Sequence, residues 1–169
     1  MQVETLEIPG ATLMPWSNLA QSENLDDIAV DLQRSCMDPA TQEFTTVPKN
    51  YTLNMAFEFL RGDALRWAIM ANDRYCGNIE VREDPRGYSV GYNLAPWARG
   101  KGLMRAALEA AAQWAWNQGI ACLIIEIAPA NVASQKVAEA VGAKLVEKGE
   151  LLTYEYCPAR GATPAAGGA

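Results

Sequence analysis

The residues best suited to chemistry cluster in Ala98-Arg99-Gly100-Lys101-Gly102-Leu103-Met104. This run lies between a strand-like segment, Tyr88 to Leu94, and an alanine-rich segment of helical pattern that starts at Leu103. A strand, a basic glycine loop and a helix start together make an anion site. Gly100 and Gly102 lack Cβ, so backbone N–H groups can turn toward a ligand. The helix start adds N–H groups without intrahelical partners and the positive end of its dipole. Arg99 and Lys101 add full charges. A phosphate or pyrophosphate is the natural guest, with a solvated turn ahead of a helix as the plain alternative. No G-x-x-x-x-G-K-[ST] loop is present, and the G-x-G-x-x-G fingerprint fails at Arg105.

Composition narrows the chemistry further. The chain has no histidine, which removes Ser-His-Asp and Cys-His mechanisms and histidine metal sites. A general base must then be a carboxylate, a water relayed by one, or a tyrosine. Cys36, Cys76, Cys122 and Cys157 form no C-x-x-C pair, so neither a metal site nor a disulfide framework is expected. Cys76 and Cys122 lie in apolar runs and read as small core residues. The net charge of −6 argues against nonspecific nucleic-acid binding and leans toward a cationic partner. No apolar run reaches the length of a membrane span, and residues 1–5 lack signal-peptide character, so a cytoplasmic protein is expected. At 169 residues, one domain over 1–158 is predicted, followed by a flexible small-residue tail over 159–169.

The elements that must hold the loop follow from periodicity. Ala11 to Trp16 reads as a strand. Ser22 to Gln33 reads as a helix capped by Ser22 and broken at Asp38-Pro39, and Thr52 to Leu60 as a second helix capped by Thr52. Leu65 to Ala71, Tyr75 to Arg82 and Tyr88 to Leu94 form an antiparallel meander, with Asp84-Pro85-Arg86-Gly87 as a turn. In Tyr75 to Arg82, Ile79 and Val81 occupy one face while Asn78, Glu80 and Arg82 occupy the other. Leu103 to Asn117 is a helix closed by Gly119, and Ala121 to Ala128 reads as a buried parallel strand. Asn131 caps a short helix ending at Gly142, and a hairpin of Lys144 to Glu147 with Leu151 to Tyr156 completes the domain. The order is β-α-α-β-β-β-α-β-α-β-β, an α/β fold with an antiparallel first half and a crossover helix after the glycine loop.

Over Ala11 to Tyr156, and most closely over Val90 to Gly142, the sequence resembles the GNAT-superfamily N-acetyltransferases. It looks most like the branch that includes the ribosomal-protein N-terminal alanine acetyltransferases. The superfamily's coenzyme A loop, [QR]-x-x-G-x-[GA], corresponds to Arg99-Gly100-Lys101-Gly102-Leu103-Met104 after the strand Val90-Gly91-Tyr92-Asn93-Leu94. Asn131-Val132-Ala133-Ser134 and Val137-Ala138-Glu139-Ala140-Val141-Gly142 match its second half. The resemblance implies a mixed, mainly antiparallel central sheet flanked by helices, with the glycine loop between the fourth predicted strand and the crossover helix. It implies acetyl-CoA as co-substrate, held by Leu94, Arg99, Gly100, Lys101, Gly102, Leu103, Met104, Asn131 and Ser134. Asn131 would contact the pantetheine arm and Ser134 would lie near the thiol. A homodimer is also implied. Met104 stands where Gly or Ala is usual, so its side chain must either crowd the pyrophosphate or turn into the core. Ala143 follows Gly142 where an aromatic is common.

Acetyl transfer to an amine requires removal of a proton, donors for an oxyanion and protonation of a thiolate. Glu80, mid-strand on the polar face, is the first choice for the base; the alternative is an exposed carboxylate paired with Arg82. Glu126 is the second choice, because a charge in an apolar strand needs a partner, and a neighbouring arginine would satisfy it. Glu155 is a third. Ser134 is a candidate donor to the thiolate, or a helix-start hydroxyl bonded to backbone. Tyr154 and Tyr156 are further acid candidates or core residues, and Trp97 would pack on coenzyme A. The segment Phe44 to Tyr51, between the first two helices, would help to shape the acceptor site. The predicted function is direct transfer of the acetyl group to an amine, in a protein N-terminus or a small molecule. A noncatalytic acyl-CoA-binding module and an enzyme for another acyl-CoA are the alternatives.

Overall fold

Alternating apolar and polar residues pair into one eight-stranded sheet in the computed structural model, which describes residues 1–161. The expected tail lies outside the described residues from position 162 onward. The strands are β1 (Leu6–Ile8), β2 (Ala11–Pro15), β3 (Arg66–Ala71), β4 (Arg74–Asp84), β5 (Gly87–Leu94), β6 (Leu123–Ile127), β7 (Lys144–Lys148) and β8 (Leu152–Tyr156). They lie in the order β1-β2-β3-β4-β5-β6-β8-β7. Every neighbouring pair is antiparallel except β5 and β6. Between β2 and β3 come α1 (Trp16–Leu19), α2 (Leu25–Cys36), α3 (Pro39–Phe44) and α4 (Leu53–Leu60); α5 (Leu103–Asn117) and α6 (Val132–Ala140) follow later.

Each face of the sheet carries its own core. On one side α5 lies against the strands through Ala107, Ala111, Ala112 and Ala115, all buried, with Trp67, Ile79, Leu108 and Leu123 filling the space between. Alanines bring the helix axis close to the sheet, while the larger side chains supply most of the apolar area. On the other side Trp16, Ile28, Leu32, Ala56 and Leu60 cover Ala68, Met70 and Tyr75.

Several boundaries differ from the sequence reading. β1, α1 and α3 escaped it because segments of three to six residues carry too little periodicity. Ser22 does not cap α2: its hydroxyl binds the side chain of Asn24, and the helix starts at Leu25. Asp38-Pro39 does not simply break a helix but begins one. The Asp38 carboxylate accepts from the Thr41 N–H at 3.2 Å, with Pro39 in the first turn. Of the segment Phe44 to Tyr51, Phe44 therefore ends α3 and the rest joins α3 to α4. β6 is buried on one face only, because the α1–α4 layer lies over the other half of the sheet; Ile124 is half-buried and Glu126 exposed.

β4 carries a bulge. Ile69 pairs with Gly77 and Met70 with Tyr75, so Cys76 is the extra residue. The bulge sends Tyr75 to the α1–α4 side and Cys76 to the α5 side. Gly77 has φ +151°, and a Cβ there would sit 2.3 Å from the Asn93 carbonyl oxygen. Gly77→Ala is therefore expected to destabilise the fold by about 1–3 kcal/mol, through backbone strain and loss of β4–β5 pairing near Leu94. Urea unfolding of the two proteins checks this, and an unchanged midpoint would refute it.

Candidate functional site

The parallel junction sets the geometry. Between β5 and β6 the ladder among the described residues is the single pair Ser89 and Ile124, near the start of both strands. Beyond it the strands part toward their carboxyl ends. From the end of β5 the chain passes through a 3-10 turn, Pro96–Ala98, and the glycine loop into α5; from the end of β6 it passes into α6. Leu94, Arg99 to Met104, Asn131 and Ser134 thus lie at the carboxyl end of β5, on the connections that follow β5 and β6, or in the first turns of α5 and α6. Ligands of open α/β sheets bind at such divergences.

The loop is open and flanked by basic residues. Gly100 and Gly102 have φ +77° and +75°, and neither Cβ position would meet an atom within 4 Å. Gly102 is the N-cap of α5 and offers no side-chain acceptor, and no acidic residue occupies the first turn. The first N–H groups of a fifteen-residue helix therefore have no side-chain cap, and Lys101 precedes them in the chain. Met104 is only 5% exposed and packs in the α5 core together with Leu103, so its side chain points away from the loop surface.

Arg99 is engaged elsewhere. Its Nη2 lies 2.7 Å from Asp38 Oδ2, linking the loop to the start of α3. Desolvation pushes the Asp38 carboxyl up, but hydrogen bonds from Arg99 and Thr41 outweigh it and hold the group below its ordinary 3.8. Thr41 also lies 3.5 Å from Asn93 Oδ1 on β5. Asn131 Oδ1 accepts from the Ser134 N–H at 3.2 Å, so Asn131 does cap α6. The Tyr92 hydroxyl donates to the Ser134 carbonyl at 3.2 Å, tying β5 to α6 across the divergence. Burial raises the Tyr92 phenol well above its usual range.

Glu80 sits on the α1–α4 face, opposite Gly91 of β5 and opposite Arg66 of β3. Its partner is Arg66, not Arg82. Arg66 Nε and Nη2 both donate to Glu80 Oε2, at 3.0 and 2.8 Å. Arg66 is 8% exposed, and its guanidinium lies 4.9 Å from the ring centre of Trp16 and 4.2 Å from that of Phe59. Arg82 instead lies over Gly91, with Nη2 2.6 Å from where a Cβ would be. Cross-strand neighbours are closer than residues two apart on one strand, which explains the choice. Tyr75, turned inward by the bulge, accepts from Asn78 Nδ2 at 2.7 Å.

The other candidates lie elsewhere. Glu126 is exposed and bonded to Arg86 of the β4–β5 turn, an arginine partner as its isolation required. Glu155 is exposed, with Oε1 3.3 Å from the Cys157 sulfur. Tyr154 and Tyr156 are buried in the α5 core, Tyr156 edge-on to Trp116. Trp97 donates to the Tyr75 carbonyl at 2.9 Å and carries the Arg74 guanidinium 4.1 Å from its ring centre. It braces the turn before the loop. Cys122 and Cys157 form a disulfide, against expectation. Neither half-buried Cys122 nor its partner is a core thiol, because both flank the paired ends of β6 and β8. Arg66 and Tyr92 were given no role from sequence, Asp38 was read only as a helix break, and Arg82 only as a partner for Glu80. Arg66 alone left a signal there, a charge in an apolar strand that must find a partner.

Residues 19–144 match the family described as the acetyltransferase (GNAT) domain. The chain belongs to the GNAT acetyltransferases. No curated protein matches the sequence. Among solved structures, an acetyltransferase from Agrobacterium tumefaciens superposes with TM-score 0.71 at 20% identity, covering 94% of this chain and 96% of its own. The ribosomal-protein-S5-alanine acetyltransferase from Vibrio fischeri gives 0.71 at 16% identity, over 92% and 97%. RimL, a ribosomal L7/L12 α-N-protein acetyltransferase solved with coenzyme A, gives 0.69 at 17% identity, over 91% and 98%. These likenesses establish the mixed α/β GNAT fold expected from the sequence, and enzymes of this family use acetyl-CoA. Among the described residues no helix is long and apolar enough to cross a membrane.

The Asp38 cap makes a pH-dependent prediction. A carboxyl held below its unfolded value contributes stability above that value and loses it as pH falls through the lower folded one. Asp38→Ala should cost about 1 kcal/mol at neutral pH. The difference from wild type should shrink below pH 3.8, the ordinary carboxyl value. Urea unfolding across pH measures it, and a pH-independent difference would contradict the ionic cap.

Proposed function

We propose that this GNAT domain transfers the acetyl group of acetyl-CoA directly to an amine, with both substrates bound together. The observation that carries the reading is the pairing of an open, basic glycine loop at the α5 N-terminus with a carboxylate on the polar face of the adjoining strands. Backbone N–H groups of residues 100–104 and Lys101 suit a pyrophosphate, with Arg99 joining them by exchanging Asp38 for phosphate. With Met104 turned inward, no side chain from that position crowds the loop. The diverging edge of β5 at Leu94 and the Asn131 side suit an amide-bearing pantetheine arm, and Ser134 would stand near the thiol. Acetyl-CoA supplies an activated thioester carbonyl.

In this reading Glu80 takes the proton from the incoming ammonium, directly or through water. Arg66 occupies Oε2 and leaves Oε1 for that proton. Arg66, which lies against both the Trp16 and Phe59 rings, is a positioning residue. Glu126 stays in its pair with Arg86. The acceptor is an amine, in a protein N-terminus or a small molecule. A cytoplasmic location, expected from the sequence composition, and a homodimer, implied by the family resemblance, accompany this reading.

Calorimetry with acetyl-CoA tests the loop. Wild type should bind, Gly102→Asp should not, and Lys101→Glu should bind at least tenfold more weakly. No binding by wild type would sink the proposal. Glu80→Gln should lower turnover by roughly 10²–10⁴-fold with acetyl-CoA affinity unchanged. Unaltered turnover would remove Glu80 as the base, and absence of turnover in every amine screen despite tight binding would favour a noncatalytic acyl-CoA-binding module.

A further inference from the structure

At the opposite end of β6 from the loop, Cys122 precedes the strand and Cys157 follows β8, its antiparallel neighbour. Leu123 pairs with Tyr156, so the two cysteines face one another across the end of the ladder although 35 residues apart. Glu155 projects beside them, and the Cys157 sulfur and Glu155 Oε1 are 3.3 Å apart. The two sulfurs and a Glu155 carboxylate oxygen all lie within 4.8 Å of one another. Cys122 and Cys157 are half-buried and Glu155 is exposed. Cys122 and Glu155 border an open cleft of about 220 Å³ whose wall includes Tyr88, Ile120 and Arg86. Arg86 is offset by its ion pairs with Asp84 and Glu126.

We propose that Cys122, Cys157 and Glu155 form a site for a soft or borderline divalent cation of the zinc class, open in the dithiol state and closed by the disulfide. Two thiolates and one carboxylate are a donor set that zinc accepts, and bonds of about 2.3 Å to sulfur set the two sulfurs about 3.8 Å apart in a tetrahedron. Opening the site takes two electrons and two protons from a dithiol donor, which becomes a disulfide while Cys122 and Cys157 become thiols. Binding then releases two protons as both thiols coordinate. The cleft leaves the fourth position to water or an outside ligand. Cys36 and Cys76 do not compete, since both are buried, and burial pushes the Cys36 thiol up to about 11. The absence of a C-x-x-C motif is no obstacle, because strand pairing rather than sequence spacing brings the ligands together.

The test uses the full chain, reduced and desalted under nitrogen, with Cd²⁺ as the probe. The reduced protein should take up one Cd²⁺ per chain with a thiolate-to-metal charge-transfer band, and the oxidised protein none. Cys122→Ser/Cys157→Ser should lose the band while keeping the circular dichroism of the reduced wild type. Glu155→Gln should weaken binding at least tenfold with the band retained. No uptake by reduced wild type, or undiminished uptake by the double variant, would overturn the site; unchanged affinity in Glu155→Gln would overturn the role of that carboxylate. Loop variants such as Lys101→Glu should leave Cd²⁺ uptake unchanged, which separates this site from acyl-CoA binding.

Discussion

Among the described residues, the one parallel junction in an otherwise antiparallel sheet is the constraint on which the rest depends. Two parallel neighbours cannot be joined by a tight turn, so the chain must cross one face of the sheet, and α5 is that crossing. The crossing brings the carboxyl ends of β5 and β6 to the same edge, together with the N-termini of α5 and α6. Because the ladder ends after one residue pair, the strands diverge where those termini gather. An antiparallel pair would have sent the glycine loop and Asn131 to opposite edges.

The two faces of the sheet divide the labour. The α5 face is apolar and closely packed by small residues, which fixes where the strands and loop stand. The α1–α4 face carries Arg66, Asn78, Glu80, Arg82 and Asn93 among its aromatics. A buried arginine is costly unless its charge is met, and Arg66 is met by one carboxylate oxygen and two aromatic rings. The bulge at Cys76 completes this face by turning Tyr75 inward toward Asn78. The far end of β6 has a separate chemistry in Cys122, Glu155 and Cys157. It is removed from the loop edge by a strand rising roughly 3.3 Å per residue.

Sequence by itself determined the local features. The bounds of α5, the two faces of β4, the Thr52 and Asn131 caps and the glycine conformations of the loop follow from periodicity, capping and missing Cβ atoms within a few contiguous residues. Tertiary structure alone decided that Glu80 meets Arg66 rather than Arg82 and that Asp38 both caps α3 and holds Arg99. It also decided that Met104 turns into the core and that Cys122 meets Cys157. Each of these depends on which strands become neighbours, in what register, and which face a helix covers. Such contacts arise when distant segments close on one another to bury apolar surface, and spacing along the chain does not encode them.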